Sequence, residues 1–221
     1  MKLRYVITCF IIVLPVRAWA IPELAVPFSA LEPGWVKISL RVDLSNLTGP
    51  NLEGRIDEQE LGQRFDDANR VWSQCAVQFV KRSVRNISAA ELEVPYRPQS
   101  QADLSLIAGK LNPNGFNGGI PVTIAGPWDF FDPNSGVYLH GLGWAFRNGT
   151  KIDRIGAMIT SHKIRDPRAG ALLGHELGHA LSLGHSSEPD NVMAGGERLQ
   201  PAQCSQARRF VELTMSDFVT K

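Results

Sequence analysis

The sequence predicts a single α+β domain over residues 34–221. Several segments alternate apolar and polar residues with the period of a β-strand, and others carry apolar or capping residues at helical spacing. No internal repeat or low-complexity linker divides this stretch. The chain has 221 residues, 43% of them hydrophobic and 20% charged, which suits one globular domain with a sizeable core.

The domain opens with a strand, a helix and a second strand. Five apolar residues occupy alternate positions in 34–45, which predicts the first strand. The segment 56–75 carries apolar residues at helical spacing and predicts an amphipathic helix. The segment 76–88 predicts another strand, and a short helix is expected near 101–111.

Three more strands and two helices complete the domain. Strands are predicted at 120–126, 137–146 and 154–161, and glycines interrupt the second of these, as at a sheet edge. Asp166 is the expected N-cap of the next helix, with proline directly after it, and 199–215 is the closing helix.

Residues 1–20 predict a secretory signal peptide. A basic start precedes an apolar run, 5–16, that is too short to span a bilayer comfortably, and an A-x-A pattern ends at Ala20. We therefore expect cleavage after about Ala20, a short N-terminal segment over 21–33, and a secreted or periplasmic protein. The alternative is an uncleaved membrane anchor.

Charge and cysteine content narrow the class further. The net charge is +1, and no basic cluster indicates a nucleic-acid partner. Once the signal peptide is removed, Cys75 and Cys204 are the remaining cysteines, and an even pair in an exported protein predicts a disulfide. Two buried thiols are the alternative. We expect a monomer with no membrane contact after cleavage.

Three of the five histidines lie within "HELGHALSLGH". His175 and His179 lie four residues apart, so a helix places both on one face, where they can share one zinc ion. Glu176 can then accept a proton from water as a general base. His185 would lie about 120° off that face on a continued helix, so the helix must end between 179 and 185. Gly184 supplies the permissive backbone for this turn.

Incidental histidines in a core helix are the alternative to a metal site. The leucines and alanine around them already supply the apolar faces, and unpaired buried imidazoles would only lower stability. We interpret His140 and His162 as ordinary surface or strand-end residues. Asp129, Asp132 and Asn134 carry oxygen ligands of the type calcium prefers, but solvated loop residues are the favoured interpretation, and no structural calcium site is supported.

The histidine segment resembles the motif H-E-x-x-H-x-x-G-x-x-H of the metzincin metallopeptidases. Met193, eight residues after His185, resembles the Met-turn of that clan, and Ser186 resembles the matrixin branch. The resemblance covers about 166–196. It departs from the pattern at Ser182, where the family has glycine, and after Met193, where Ala194 and Gly195 replace the Tyr and Pro common in matrixins.

The resemblance implies a zincin-like fold: a twisted five-stranded mixed sheet, an active-site helix, a Met-turn and a C-terminal helix. It also implies a zinc endopeptidase, with zinc held by His175, His179 and His185 and with Glu176 as the base. The glycine-interrupted strand favours an extended peptide or protein substrate, which would pair along Gly141, Leu142, Gly143 and Trp144. Two alternatives stay open: an exported zinc-containing binding or adhesion module without turnover, and a hydrolase of a non-peptide amide.

Overall fold

The computed structural model describes residues 34–111, 118–128, 131–132, 137–138, 140–148, 151–161 and 169–219. The predicted signal peptide, the segment 21–33, the predicted cap at Asp166 and the side chain of His162 lie outside these residues. Asp129 and Asn134, two of the residues considered as calcium ligands, also lie outside them. None of the described helices is both long and apolar enough to pass through a bilayer.

Five strands form one mixed sheet in the order β2-β1-β3-β7-β6. The strands β2, β1, β3 and β7 run parallel to one another. The edge strand β6 pairs antiparallel with β7. A separate two-stranded ribbon joins β4 and β5. The strands are β1 (Ile38–Thr48), β2 (Val77–Ser88), β3 (Ile120–Ala125), β4 (Phe131–Asp132), β5 (Val137–Tyr138), β6 (Gly141–Asn148) and β7 (Lys151–Thr160).

Four helices pack on this sheet, two of them ahead of the histidine segment. They are α1 (Glu58–Trp72), α2 (Gln101–Leu111), α3 (Ala169–Ala180) and α4 (Pro201–Thr214). The helix α1 begins where the side chain of Asp57 accepts a hydrogen bond from the amide of Gln59. The predicted α+β class, with a five-stranded mixed sheet, a histidine-bearing helix and a C-terminal helix, is confirmed.

Each face of the sheet has its own apolar core. The alternation along β7 shows this, because Ala157 and Ile159 belong to the core under α1, α3 and α4, whereas Met158 belongs to the core that contains α2. The histidine-bearing helix α3 lies in the first of these cores and is buried along almost its whole length.

Two sequence predictions of strand bounds need correction. The predicted strand 137–146 is two strands, since Val137–Tyr138 belongs to the ribbon and Gly141–Asn148 belongs to the main sheet. The first strand begins at Ile38, later than predicted, and Arg208 of α4 contacts the residues before it. The guanidinium donates to the carbonyl of Val36 over 3.0 Å and lies 5.0 Å from the ring centroid of Trp35.

A disulfide joins the end of the α1 region to the closing helix. Cys75 follows α1 in a short 3-10 turn, and Cys204 lies in the first turns of α4. Both cysteines are fully buried, and Arg208 donates a hydrogen bond to the carbonyl of Cys75 over 3.0 Å. The bridge therefore locks α4 onto the part of the core that supports α3.

Candidate metal centre

The helix α3 presents the side chains that the sequence motif singles out. His175, Glu176 and His179 are all buried on it. The helix rests on α1, where the indole of Trp72 donates a hydrogen bond to the carbonyl of Gly174 over 2.9 Å. Trp72 thus fixes the helix one residue before the first histidine.

The helix ends where the motif requires it to end. The amide of Leu183 donates to the carbonyl of Gly178 over 2.9 Å, and the amide of Ser182 donates to the carbonyl of His179 over 2.9 Å. This pair of bonds is the Schellman motif, which needs a left-handed residue directly after the helix cap. Ser182 is that residue, with φ +67°.

The expectation that Gly184 makes the turn is therefore wrong. Gly184 is not among the residues with positive φ, and the turn occurs two residues earlier. Ser182 stands where the metzincin motif has glycine, and it adopts the left-handed conformation that glycine favours. The steric cost for a residue with a side chain is about 1–2 kcal/mol. The side-chain amide of Gln206 on α4 supports the turn, because its Nε2 donates to the carbonyl of Ser182 over 2.7 Å.

The turn returns the chain so that His185 meets the other two imidazoles. One potential ligand atom from each of His175, His179 and His185 lies within 4.8 Å of the others. The Nε2 atoms of His175 and His179 are 3.1 Å apart. His185 is exposed and closes the group from the solvent side, with its ring centroid 4.7 Å from that of His179.

Backbone carbonyls fix the tautomers of the two buried histidines. The Nδ1 atom of His175 lies 2.7 Å from the carbonyl of Val192, and that of His179 lies 2.9 Å from the carbonyl of Leu183. Because a carbonyl only accepts, each Nδ1 must carry the proton. Both Nε2 atoms then direct a lone pair toward the other across 3.1 Å, an arrangement that a shared cation satisfies.

Protonation does not compete with a metal ion near neutral pH. Burial lowers the pKa of His175 to about 4 and that of His179 to about 3, and burial also lowers the pKa of His185. Tetrahedral zinc, with bonds of about 2.0–2.1 Å, places its nitrogen ligands roughly 3.3 Å apart. The donor set fits a zinc ion, and the 3.1 Å between the Nε2 atoms of His175 and His179 is close to that value.

Glu176 lies beside this group in an environment that is unfavourable for a free carboxylate. The residue is 0% exposed, and neither carboxylate oxygen has a hydrogen-bond partner among the described residues. Burial raises the pKa of Glu176 well above its ordinary value. The backbone N–H of Gly143 approaches and partly opposes that shift without reaching hydrogen-bond geometry at either oxygen. A carboxyl group with a raised pKa beside three imidazoles is a candidate general acid or base.

Met193 packs against the histidine-bearing helix at Gly178. It sits in the short turn Val192–Ala194, and its sulfur is so close to Gly178 that a Cβ there would be 2.4 Å away. Asn191 caps the turn by accepting from the amide of Met193 over 2.9 Å. The same turn presents the Val192 carbonyl that orients His175.

The glycines of β6 lie on an edge strand that another element approaches closely, as the sequence predicts. β6 is the outer strand of the sheet, paired only with β7 among the described strands. Gly141 and Gly143 face the helix α3, while Leu142 and Trp144 pack against the core on the opposite face. The four residues therefore lie on one edge strand, and pairing of a substrate along it stays a prediction. His140 directly precedes this strand, and its carbonyl accepts from the amide of Thr160 over 3.0 Å.

Sequence reasoning missed several residues that support the site. Trp72 was placed on the predicted amphipathic helix, but nothing in that pattern shows its indole bond to Gly174. Asn191 and the carbonyls of Val192 and Leu183 were also missed. A main-chain acceptor has no residue type that could indicate it.

Comparisons with solved structures give likenesses at low sequence identity. No protein-family model and no curated protein sequence matches the chain. The solved structures similar to it include metalloproteinase-II from Bacteroides fragilis, with a TM-score of 0.49 and 12% identity over 84% of this chain. The chain covers 58% of that protein. An archaemetzincin from Methanopyrus kandleri has a TM-score of 0.45 and 16% identity, with 78% of this chain and 96% of that one covered.

Proposed function

We propose that the chain is a secreted zinc-dependent endopeptidase. One observation carries the proposal. Three imidazoles converge within 4.8 Å, two of them buried with their lone pairs turned toward each other, and a fully buried carboxyl group lies next to them. A purely structural zinc site has no need for that carboxyl group.

His175, His179 and His185 would hold the ion and leave a fourth position open, as in catalytic rather than structural zinc sites. Bound zinc supplies Lewis-acid activation of a water molecule and of the scissile carbonyl group. Glu176 accepts the proton from the attacking water and later donates it to the leaving amine. The raised pKa of Glu176 suits both roles, because the proton must be held between the two steps.

The outer edge of β6 suits a peptide substrate. An extended peptide can add to an open strand through main-chain hydrogen bonds, which favours peptide bonds over other amides. Ser186 after the third histidine supports a matrixin-like branch, and the pattern in residues 1–20 supports export.

A peptide-library digestion tests the proposal. The purified chain with zinc should cleave internal peptide bonds, a chelator should stop cleavage, and added zinc should restore it, as followed by mass spectrometry. Bound zinc without cleavage of any peptide would favour the binding-module alternative. Cleavage that persists in the chelator would contradict a metallopeptidase.

A further inference from the structure

The strand β6 and the helix α3 approach each other too closely for a side chain at either of the two strand glycines that face the helix. A Cβ atom at Gly141 would lie 2.3 Å from Oε1 of Glu176 and 2.7 Å from its Cδ. A Cβ atom at Gly143 would lie 2.2 Å from the main-chain oxygen of Glu176 and 2.8 Å from the Cβ of His179. All of these distances are shorter than ordinary van der Waals contacts.

Backbone conformation does not explain these glycines. Neither has a positive φ, and both lie in regular pairing with β7, Gly141 opposite Ile159 and Gly143 opposite Ala157. Glycine also weakens a strand interior. The close approach of the helix is therefore the reason that these two positions lack a side chain.

The two glycines contact different parts of the helix. The three atoms nearest to a Cβ at Gly141 all belong to the side chain of Glu176, namely Oε1, Cδ and Cγ. Gly143 faces the helix backbone and the Cβ of His179, so it limits how close the whole helix can come. The closest contacts of Gly141 are thus with the proposed base, whereas those of Gly143 are with the helix backbone and a proposed zinc ligand.

We propose that Gly141 and Gly143 are positioning residues, forming a seat that fixes the Glu176 carboxyl group relative to the edge strand. The part of this inference that concerns catalysis rests on the proposed function. The seat links the proposed base to the strand along which a substrate would pair, so the strand and the base keep one geometry. Because Glu176 is 0% exposed, a methyl group at Gly141 leaves it little room to move aside.

A double-mutant cycle, measured as Tm in thermal unfolding, tests the seat without requiring any enzymatic activity. Gly141→Ala should lower Tm by about 5 °C in the wild-type background, as expected for overpacking. It should have a much smaller effect in a Glu176→Ala background, because that change removes the three atoms nearest to the new methyl group. Gly143→Ala should lower Tm in both backgrounds, since its contacts are with the backbone and His179.

Gly156→Ala on β7 is the matched control. A Cβ atom at Gly156 would lie 2.6 Å from a ring carbon of Trp144, and this contact does not involve Glu176. Its effect on Tm should therefore be the same in both backgrounds. An equal decrease in Tm for Gly141→Ala in the wild-type and Glu176→Ala backgrounds would contradict the proposed seat.

Zinc-binding and rate measurements test the positioning role. Gly141→Ala should lower kcat for peptide cleavage about 100-fold, the effect of moving a reacting group by roughly 1 Å, with KM and zinc affinity close to wild type. Gly143→Ala should also weaken zinc binding by about tenfold. Gly109→Ala on α2, with no atom within 4 Å of the new methyl group, should match wild type in all three quantities.

An unchanged kcat for Gly141→Ala would overturn the positioning role. If the wild type cleaves no peptide, the proposed function fails, and the Tm cycle still decides whether the seat exists. The two failures are therefore distinguishable.

Discussion

Glu176→Ala should lower kcat for peptide hydrolysis by about 10²–10⁴-fold while one zinc ion per chain stays bound. The change removes the group that accepts the proton from water but leaves the three imidazoles in place. The two buried imidazoles are oriented independently of Glu176, since their Nδ1 atoms pair with the carbonyls of Val192 and Leu183. Steady-state rates and metal analysis of the same preparation measure both halves of the result.

Glu91→Ala is a suitable control for the loss of one acidic residue. Glu91 lies exposed in the turn after β2, and its removal should change neither rate nor zinc content. Loss of zinc from the Glu176→Ala variant, or retention of its activity, would contradict the role given to Glu176.

Removing the Cys75–Cys204 disulfide should lower the free energy of unfolding more than any of the glycine substitutions. The bridge closes a loop with a sequence separation of 129 residues. The loop-entropy model assigns such a bridge about 4–5 kcal/mol of the free energy of unfolding. That is a large fraction of the 5–15 kcal/mol typical of a domain.

Urea unfolding of the Cys75→Ala, Cys204→Ala double variant measures this loss. The midpoint should fall substantially relative to the oxidised wild type, and the wild type with reductant should behave like the variant. A midpoint that is the same with and without the bridge would refute the stabilising role. Two free thiols in exported protein would do the same.

The histidine cluster was predictable because its geometry is local. A spacing of four residues fixes two imidazoles on one helical face, and a third six residues later requires the helix to end between them. The residue that makes the turn was not predictable from propensity alone. Gly184 has the freer backbone, but the bonds from Ser182 and Leu183 place the left-handed residue at Ser182.

Most helices and strands were also predictable, since their apolar periodicity reflects burial on one face. α1 illustrates this, because Leu61, Phe65, Ala68 and Trp72 are all buried. The pattern failed at 137–146, where one glycine-interrupted run divides between the ribbon and the main sheet. A short strand carries too few residues to show which sheet it joins.

The role of the β6 glycines required the structure. The sequence shows glycine at 141 and 143 and indicates an edge with close backbone approach. It does not show which face of the strand meets the helix. The distances to Glu176 and His179 show that the close approach comes from α3.

Anomalous X-ray diffraction at the zinc absorption edge, from crystals of the chain grown with zinc, tests the central claim most directly. The account predicts one strong peak with His175, His179 and His185 each contributing a nitrogen at about 2.0–2.1 Å. The Glu176 carboxyl group should lie outside the set of ligands. No peak between the three imidazoles at saturating zinc, or a peak bound by other residues, would contradict the account.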